Sequence, residues 1–377
     1  MKLIALKDVC KINMGQSPNS SSYNDYGDGM PFFQGNADFG ERYPLTRVWC
    51  NTPTKIAQAE DILISVRAPI GALNYAKEEC CIGRGLAAIT PDRNKVSQDF
   101  IYWALKGKKA ELNDKGNGST FKAISRKILE ETMIPDINFE QQHKCAENLE
   151  KIYGIIQNRR KELLALDDLI KARFVEMFGD PVTSLKGRKQ VPFSEFMTDI
   201  KYGTSQPPQF SEDGEYKFIR ATNIKKGRIT EENMLRISEA EAAKIQKCKL
   251  LGNEIIIVRS GANTGDTCVV TTEYAENYAG YDIIITLDLT KANPVYFNEL
   301  INTHYMEQIV KPLTARSAQP HLNTKQVQGM PMIVASMDEQ NEFAVFVEQV
   351  DKSKVAVQKA LDETQTLFDS LMQEYFG

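Results

Sequence analysis

The chain carries the sequence DILISVR at residues 61–67 and repeats it in altered form as NEIIIVR at residues 253–259. Each copy is a short apolar run, rich in isoleucine, that leads directly into a turn containing glycine. A run of this length and composition predicts a buried β-strand that delivers its last residue, an arginine, to a loop. Because the copies lie about half a chain apart, the sequence predicts a tandem duplication of one module.

The residues around these two strands also match, in the same order in both halves. Upstream, GQSP at 15–18 corresponds to GTSQ at 203–206, and FFQGN at 32–36 corresponds to KFIRATN at 217–223. Downstream, each half is predicted to continue through a short helix and a loop of small residues to a Glu-Gln pair. The short helices are expected around 100–105 and 296–305, the loops at 116–120 and 315–319, and the pairs at 140–141 and 339–340.

A long segment with little proline or glycine follows each Glu-Gln pair, and its apolar residues recur at alternating intervals of three and four. This spacing is the period of a coiled-coil seam and predicts two helices of about 35 to 40 residues, each ending near a Phe-Gly pair. The positions assigned to helix pairing are Leu149, Ile152, Ile156, Leu163, Leu166 and Ile170 in the first segment, and Phe343, Phe346, Val350, Val357, Ala360, Leu367 and Leu371 in the second.

A helix of that length extends for about 55 Å, which is too long to bury its apolar stripe on one small module. The other copy in the same chain supplies a matching stripe, so we expect the two helices to pair as an antiparallel coiled coil with pseudo-twofold symmetry. The alternatives are that each helix folds back on its own module or pairs with a second chain. Antiparallel pairing would hold the two modules at opposite ends of a rod.

Length and composition are those of an ordinary globular protein. With 377 residues, the chain exceeds what one hydrophobic core usually organises, which predicts two or more domains. It contains no apolar run long enough to span a bilayer and no secretory signal, so a cytoplasmic location is expected. Seven scattered cysteines without a C-x-x-C pair favour reduced structural thiols over a zinc site. The net charge of -4 argues against a protein that coats nucleic acid by electrostatics alone.

In its order of parts, the chain resembles the specificity subunits of type I restriction-modification enzymes. The phrases that carry the resemblance are GTS at 203–205, YKFIRATN at 216–223, EIIIVRSG at 254–261 and the two Glu-Gln helix starts. No one phrase is specific, but their repeated order is, and it covers essentially the whole chain. The resemblance implies an α+β fold with two similar β-rich target-recognition domains at 1–138 and 181–336, each followed by a long helix, at 139–180 and 337–377.

The resemblance also implies a function. Each target-recognition domain would read one half of a bipartite site in double-stranded DNA, and the paired helices would set the spacer and dock two methyltransferase subunits. Two restriction and translocase subunits would complete the complex. The chain itself would not be an enzyme and would bind no cofactor or metal, while S-adenosylmethionine, ATP and Mg²⁺ would serve the partner subunits.

The sequence lacks the motifs of the chemistry that such a complex performs. It contains no G-x-x-x-x-G-K-[ST] loop, no Asn-Pro-Pro-Tyr or Asp-Pro-Pro-Tyr methyltransferase motif and no G-x-G-x-x-G loop, and GRG at 83–85 is interpreted as a turn at a strand entry. Two other interpretations stay open. One is the specificity chain of a related restriction system whose partner fuses nuclease and methyltransferase, and the other is a coiled-coil scaffold whose modules bind protein.

Reading DNA requires basic side chains for phosphates and arginine or amide side chains for base edges. Arg67 and Arg259, at the ends of the repeated strands, are the strongest candidates, because each could present its guanidinium bidentately to a guanine or a phosphate. The structural alternative is an ion pair within their own module. Gln34, Asn36 and Asn223 could contact adenine edges, although asparagine near glycine is also common in turns.

Basic residues cluster at corresponding places in both halves, despite the acidic total charge. Residues 217–228 carry five positive charges and no acid, and 311–325 and 106–127 are also rich in basic residues. A solvated surface is the alternative for each cluster, and His321 could instead cap its loop. The remaining candidates for DNA contact come from these clusters: Lys122, Arg126, Arg220, Lys225, Lys226, Arg316, His321 and Lys325.

Overall fold

The structure is a computed structural model that describes residues 2–116, 122–314 and 321–377. The chain divides into two compact units. Unit 1 comprises residues 1–160 and 359–377, and unit 2 comprises residues 161–358. Each unit therefore contains one β-rich module, called here the first or the second module, together with part of each of two long helices.

The first module is built on a four-stranded antiparallel sheet whose two central strands are almost wholly buried. A five-stranded sheet packs on it through a cluster that includes Phe33, Leu63 and Ile82, so the central strands are covered and read as continuous apolar runs. In spatial order, the four strands are Cys10–Met14, Leu86–Pro91, Ile62–Ser65 and Leu73–Tyr75, and the five are Tyr23–Asn24, Trp49–Cys50, Met30–Phe33, Cys80–Ile82 and Ile56–Ala57. Leu3–Ala5 pairs with Met133–Pro135, and the α-helices are Leu6–Val9, Gln98–Gly107, Lys109–Asp114 and Arg126–Glu130.

The second module repeats this topology with the same strand order in its main sheet. The predicted tandem duplication is therefore confirmed by the arrangement of strands within each module. In spatial order, the main sheet consists of Met197–Tyr202, Ile283–Leu287, Ile255–Ile257 and Thr267–Val269. A separate three-stranded sheet consists of Leu235–Ile237, Tyr216–Ile219 and Tyr278–Ala279. Ile224–Lys225 pairs with Arg228–Ile229, and Gln190–Pro192 with Pro331–Ile333. The helices are Glu239–Lys244, Pro294–Ile301, Lys311–Thr314 and Thr324–Gln328, with a π-helix at Met306–Val310.

The two long helices each contain 40 residues, the central helix at Phe139–Phe178 and the last helix at Met337–Phe376. A buried glutamine at the start of each long helix connects that helix to the preceding module. It is Gln142, directly after the first Glu-Gln pair, and Gln340, within the second. The Gln142 side chain accepts the Ser97 amide at 2.7 Å, and the Gln340 side chain accepts the Asn293 amide at 2.8 Å. The recurrence of glutamine at the two helix starts is thus explained by a buried side chain that satisfies the backbone of a neighbouring short helix.

Burial along the long helices agrees with the predicted stripe at every assigned position except Leu367. Phe343, Val350 and Val357 are buried as expected, but Leu367 is 51% exposed and is not a packing residue. The sequence has apolar residues at both adjacent positions in several turns, so spacing alone could not choose between them. Three residues that the prediction did not include, Val347, Leu361 and Phe368, are more deeply buried than the predicted residues directly before them. The predicted residues that are buried or half-buried are Leu149, Ile152, Ile156, Leu163, Leu166, Ile170, Phe343, Phe346, Val350, Val357, Ala360 and Leu371.

Aromatic side chains pack the long helices within each unit. In unit 2, the Phe174 ring lies 5.4 Å from those of Tyr296 and Phe343. In unit 1, the Phe368 ring lies 5.7 Å from that of Trp103 on the short helix Gln98–Gly107. In each unit, a segment of a long helix therefore shares a core with the short helix of that module.

Candidate nucleic-acid interface

Loops at one end of the first module form an open groove of about 520 Å³. The side chains that line it include Gln34, Asn36, Arg67 and Arg84. Arg67 and Arg84 are exposed, and neither is paired with a carboxylate among residues 2–116, 122–314 and 321–377. The alternative role for Arg67, an ion pair inside its own module, is therefore absent from the described structure.

Close backbone approach shapes the groove in both modules and explains the repeated glycine of GQSP and GTSQ. The Gly15 amide donates to the Leu86 carbonyl at 2.9 Å, and a Cβ on Gly15 would lie 2.2 Å from the Gly83 oxygen. A Cβ on Gly203 would lie 1.6 Å from the Gly280 oxygen. Only glycine permits these approaches, so the fold explains the glycine that begins both phrases.

The second module has a groove of about 320 Å³ in the corresponding loops, lined in part by Arg220 and Tyr281. Beside it, the Arg259 guanidinium carbon lies 4.5 Å from the ring centre of Tyr202 and 4.3 Å from that of Tyr281. A guanidinium that stacks on aromatic rings keeps its N–H edge for hydrogen bonding. The Nε atoms of Arg259 and Arg220 are buried without an acceptor among the described residues, although an Arg220 terminal nitrogen donates to the Asn233 carbonyl at 2.9 Å.

Asp282 is a buried carboxylate next to this arginine. Its Oδ1 accepts the Arg259 backbone amide at 3.1 Å. Burial raises the pKa of the Asp282 carboxyl to about 6, against the lowering effects of that hydrogen bond and of the Arg259 charge. The second groove therefore contains an acid whose charge changes close to physiological pH.

Asp282→Asn is expected to raise the stability of the chain at about pH 8, where the wild type must keep a buried charge. The native carboxyl takes up its proton near pH 6, and the unfolded one near the ordinary value of 3.8. Between these values the native state binds more protons, so wild-type stability rises as pH falls, and the advantage of the variant shrinks. Free energies of unfolding in urea at about pH 5 and pH 8 measure this. An advantage that does not depend on pH would contradict it.

The backbone register corrects the sequence match between the repeated strands by one residue. Arg67 pairs with Ala123 in an isolated bridge, and the matching bridge of the second module joins Ser260 to His321. Arg67 thus corresponds to Ser260, and Arg259 lies one position earlier in its strand. Because side chains alternate along a strand, the two arginines leave the backbone on opposite faces. Arg67 is accordingly exposed, whereas Arg259 is partly buried against the rings of Tyr202 and Tyr281.

Asn223 is corrected as a candidate for base contact. Its side chain is fully buried and donates to the carbonyls of Thr230 at 3.2 Å and Glu232 at 3.0 Å. Its oxygen accepts the Arg220 amide at 3.2 Å. Both donors and the acceptor are therefore used inside the loop, which is the turn role that asparagine commonly has.

Asp38, rather than Asn36, is the counterpart of Asn223 in the first module. The Asp38 carboxylate accepts the Gln34 amide at 2.7 Å, as the Asn223 oxygen accepts that of Arg220. Asn36 consequently has no such capping role and lies on the first groove with Gln34. Both remain candidates for DNA contact.

Most of the basic side chains of residues 217–228 are paired with carboxylates in the structure. Lys225 pairs with Glu232 at 2.6 Å, and Lys226 lies 3.8 Å from Asp167 on the central helix. The acids come from outside the segment, so a count of local charges overlooked them. Lys217 and Arg228 are paired with carboxylates in the same way. Phosphate contact by Lys225 or Lys226 would require these ion pairs to open.

The other basic candidates differ in whether they are already paired. Lys122, His321 and Lys325 are exposed. No carboxylate among the described residues pairs with Lys122 or Lys325. Arg126 is exposed but pairs at 2.7 Å with a glutamate one turn later on its own helix. Arg316 lies outside the described residues. Lys122 and Lys325 are therefore the lysines best suited to contact phosphates.

Lys325→Gln is expected to weaken binding to all DNA sequences alike and to reduce the dependence of log Kd on log salt by about one. Lys225→Gln serves as the control, because Glu232 already neutralises that lysine, and its effect should be smaller. Binding titrations with fluorescent duplexes at several salt concentrations measure both slopes. Equal slopes for Lys325→Gln and the wild type would remove Lys325 from the interface.

Four residues at the grooves were not found from the sequence: Arg84, Tyr202, Tyr281 and Asp282. Arg84 lies in the sequence GRG at 83–85, which the sequence pattern indicates only as a turn. An alignment of the two halves through Gly83 and Gly280 places Arg84 and Tyr281 in corresponding turns, and that signal could have identified both. Nothing local in the sequence marks Tyr202 or Asp282, since their proximity to Arg259 depends on the sheet register.

The described residues give no sign of a metal site or a membrane segment. Among them, groups of three or more histidine, cysteine, aspartate or glutamate side chains suited to a metal ion are absent. Within the same residues, no helix combines the length and apolar character needed to cross a bilayer.

Comparison with known proteins identifies the group to which this architecture corresponds. The family profile for the type I restriction modification DNA specificity domain matches residues 1–165 and 197–364. The two matches correspond to the two modules, with the long helices partly included.

Individual relatives agree with the family profile. A Methanocaldococcus jannaschii protein, provisionally named type I restriction enzyme MjaX specificity subunit, is 47% identical over 152 residues, which is 40% of this chain and 36% of that relative's length. The type I restriction enzyme EcoBI specificity subunit of Escherichia coli is 21% identical over 412 residues, covering 99% of this chain and 85% of the relative. The crystal structure of a type I restriction-modification S subunit from M. genitalium matches with a TM-score of 0.63 and 15% identity, covering 100% of this chain and 96% of that one, which shows a shared fold.

Proposed function

The chain belongs to the type I restriction modification DNA specificity family, and on that basis we propose that it is the sequence-reading subunit of a type I restriction-modification complex. In this role the first module, within residues 1–138, reads one half of a bipartite DNA site. The second module, within residues 181–336, reads the other half. The chain selects the site and leaves catalysis to its partners.

The observation that carries this proposal is the pair of corresponding grooves, each with arginine at its edge. Arg67 and Arg84 are exposed and unpaired with described carboxylates in the first module, and the Arg259 guanidinium lies over the rings of Tyr202 and Tyr281 in the second. Bidentate contact from arginine to guanine O6 and N7 is the commonest specific contact in the major groove. Two such grooves suit two separate half-sites better than one continuous site.

The long helices are proposed to pair as an antiparallel coiled coil that sets the spacer and docks two methyltransferase subunits. Their equal length of 40 residues supports this, as do their matched buried stripes. Exposed apolar residues such as Leu164, Val355 and Leu367 offer contact area for partner helices. The alternative, in which each helix folds back on its own module, would leave less apolar surface for helix pairing and for partner subunits.

The reaction chemistry is assigned to the partners. Methyltransferase subunits would use S-adenosylmethionine to methylate adenine, and restriction subunits would use ATP and Mg²⁺ to translocate and cut. Such a complex acts on chromosomal and invading DNA, which fits a cytoplasmic location. A partner that fuses nuclease and methyltransferase would use the same reading chain without change to its role.

Selection of duplexes from a randomised pool tests this function directly. The full chain, purified with the methyltransferase encoded beside it, is expected to enrich two short motifs at a fixed separation. Single mismatches in either motif should each weaken binding by about 1–3 kcal/mol. Enrichment of no motif would favour the protein-binding scaffold instead.

A further inference from the structure

Arg42 joins the first module to the central helix at a point distant from their covalent junction. Its Nη1 donates to both carboxylate oxygens of Glu150 at 2.8 Å. Its guanidinium carbon lies 4.9 Å from the ring centre of Tyr75 and 5.5 Å from that of Tyr102. Asp99, on the short helix of the module, lies 3.9 Å away. One arginine thus connects a strand, the short helix and the central helix.

Arg228 makes the matching connection between the second module and the last helix. Its Nη2 and Nε both donate to the Asp351 carboxylate, at 2.7 and 3.1 Å. Its Nη1 donates to Glu299, on the short helix of the module, at 2.6 Å. The Glu299 side chain is only 9% exposed, so this guanidinium compensates a nearly buried charge.

The two arginines occupy corresponding places in the duplicated fold. Arg42 follows the turn capped by Asp38, and Arg228 follows the turn capped by Asn223. Each contacts one carboxylate on the short helix of its module and one carboxylate on a long helix. The recurrence in two modules of different sequence indicates a shared requirement rather than a chance surface ion pair.

Each arginine adds a directional polar contact to the apolar packing that already joins its module to a long helix. The chain itself joins the two at the start of that helix. Glu150 lies 11 residues after Phe139, and Asp351 lies 14 residues after Met337, which correspond to about 16 and 21 Å along the axis. Apolar packing is non-directional, whereas a multidentate ion pair at a separate point favours one orientation of the module on the helix.

We propose that Arg42 and Arg228 are positioning residues that fix the orientation of each recognition module on its long helix, and that they thereby restrict the spacer length that the chain accepts between its half-sites. This inference rests on the proposed function. The ion pairs contact no base, so their loss leaves each half-site motif intact. The loss instead widens the range of orientations that a module adopts on its helix, and it admits half-sites separated by one base pair more or less.

Glu150→Gln and Asp351→Asn test this with little change in shape, and they leave the arginines in place. The matched controls are Glu147→Gln and Glu348→Gln, on the same helices, whose carboxylates pair, within the described part of the chain, only with lysines one turn later at 2.8 and 2.7 Å. Once selection has identified the motif, the full chain is titrated with duplexes that keep both half-sites and change the spacer by one or two base pairs. Thermal unfolding of each variant is recorded alongside.

Glu150→Gln and Asp351→Asn are each expected to lower the preference for the correct spacer about tenfold, while mismatch penalties within each half-site stay as in the wild type. The control variants should keep the wild-type preference. Unchanged spacer preference in Glu150→Gln and Asp351→Asn overturns the inference, and so does an equal loss of affinity at every spacer, which would indicate a merely structural role. If the wild type selects no bipartite motif, the proposed function itself fails.

Discussion

Phe368→Ala is expected to lower the free energy of unfolding by about 3–5 kcal/mol, the usual cost of removing a large buried aromatic side chain. Phe368 is 7% exposed, and its ring lies 5.7 Å from Trp103 and 6.1 Å from Tyr153. The variant would leave a cavity among the last helix, the central helix and the short helix of unit 1. Urea unfolding followed by circular dichroism at 222 nm measures the change.

Leu367→Ala is the matched control, one position earlier on the same helix. Leu367 is 51% exposed, so its replacement should change the free energy of unfolding by less than about 0.5 kcal/mol. The pair tests the corrected stripe directly, because the sequence pattern alone had assigned Leu367 to the seam. Greater destabilisation by Leu367→Ala than by Phe368→Ala would show that Leu367, as predicted from the spacing, is the packing residue.

Arg259→Lys is expected to relax specificity at one base pair of the second half-site by about 10–100-fold, because a bidentate contact is worth roughly 1–3 kcal/mol of discrimination. Lysine keeps the charge but loses the planar fork that packs against Tyr202 and Tyr281. Affinity for the preferred sequence should fall more than affinity for the singly mismatched one. Titrations with matched and singly mismatched duplexes measure the ratio.

Arg67→Lys provides the comparison in the first module. It should affect discrimination in the first half-site only, and Arg259→Lys in the second only. If Arg259→Lys weakened binding equally for all sequences, the arginine would be a phosphate contact. Loss of discrimination in both half-sites at once would mean that the modules do not read DNA independently.

Duplication and element types could be predicted from the sequence, because they depend on local patterns. The apolar runs at 61–67 and 253–259 contain the observed central strands Ile62–Ser65 and Ile255–Ile257. The heptad spacing located both long helices to within a few residues. Such patterns are readable because a buried strand and a helical stripe each impose their own period on the chain.

Register and charge pairing could not be predicted, because they depend on residues far apart in the chain. Phe346 and Val347 are both apolar, so only packing reveals which of them is buried. Lys226 follows a run without acids, yet it lies beside Asp167 of the central helix. The one-residue offset between Arg67 and Arg259 likewise emerges only from the pairing of strands and bridges.

The groove residues divide in the same way. Gln34, Asn36 and Arg67 were named from the sequence, and the first groove contains all three. Asp282 was missed because its importance comes from burial beside Arg259, which the residue type does not signal. Asn223 was misassigned because the same side chain that suits an adenine edge also suits a turn.

The most direct test of the two-module reader is methylome sequencing of cells that express this chain with the methyltransferase encoded beside it. The account predicts methylated adenines in a bipartite motif, and it predicts that exchange of residues 1–138 for those of a relative changes one half of the motif and leaves the other half and the spacer intact. A change in both halves after this exchange, or a stable complex that methylates no bipartite motif, would contradict the account.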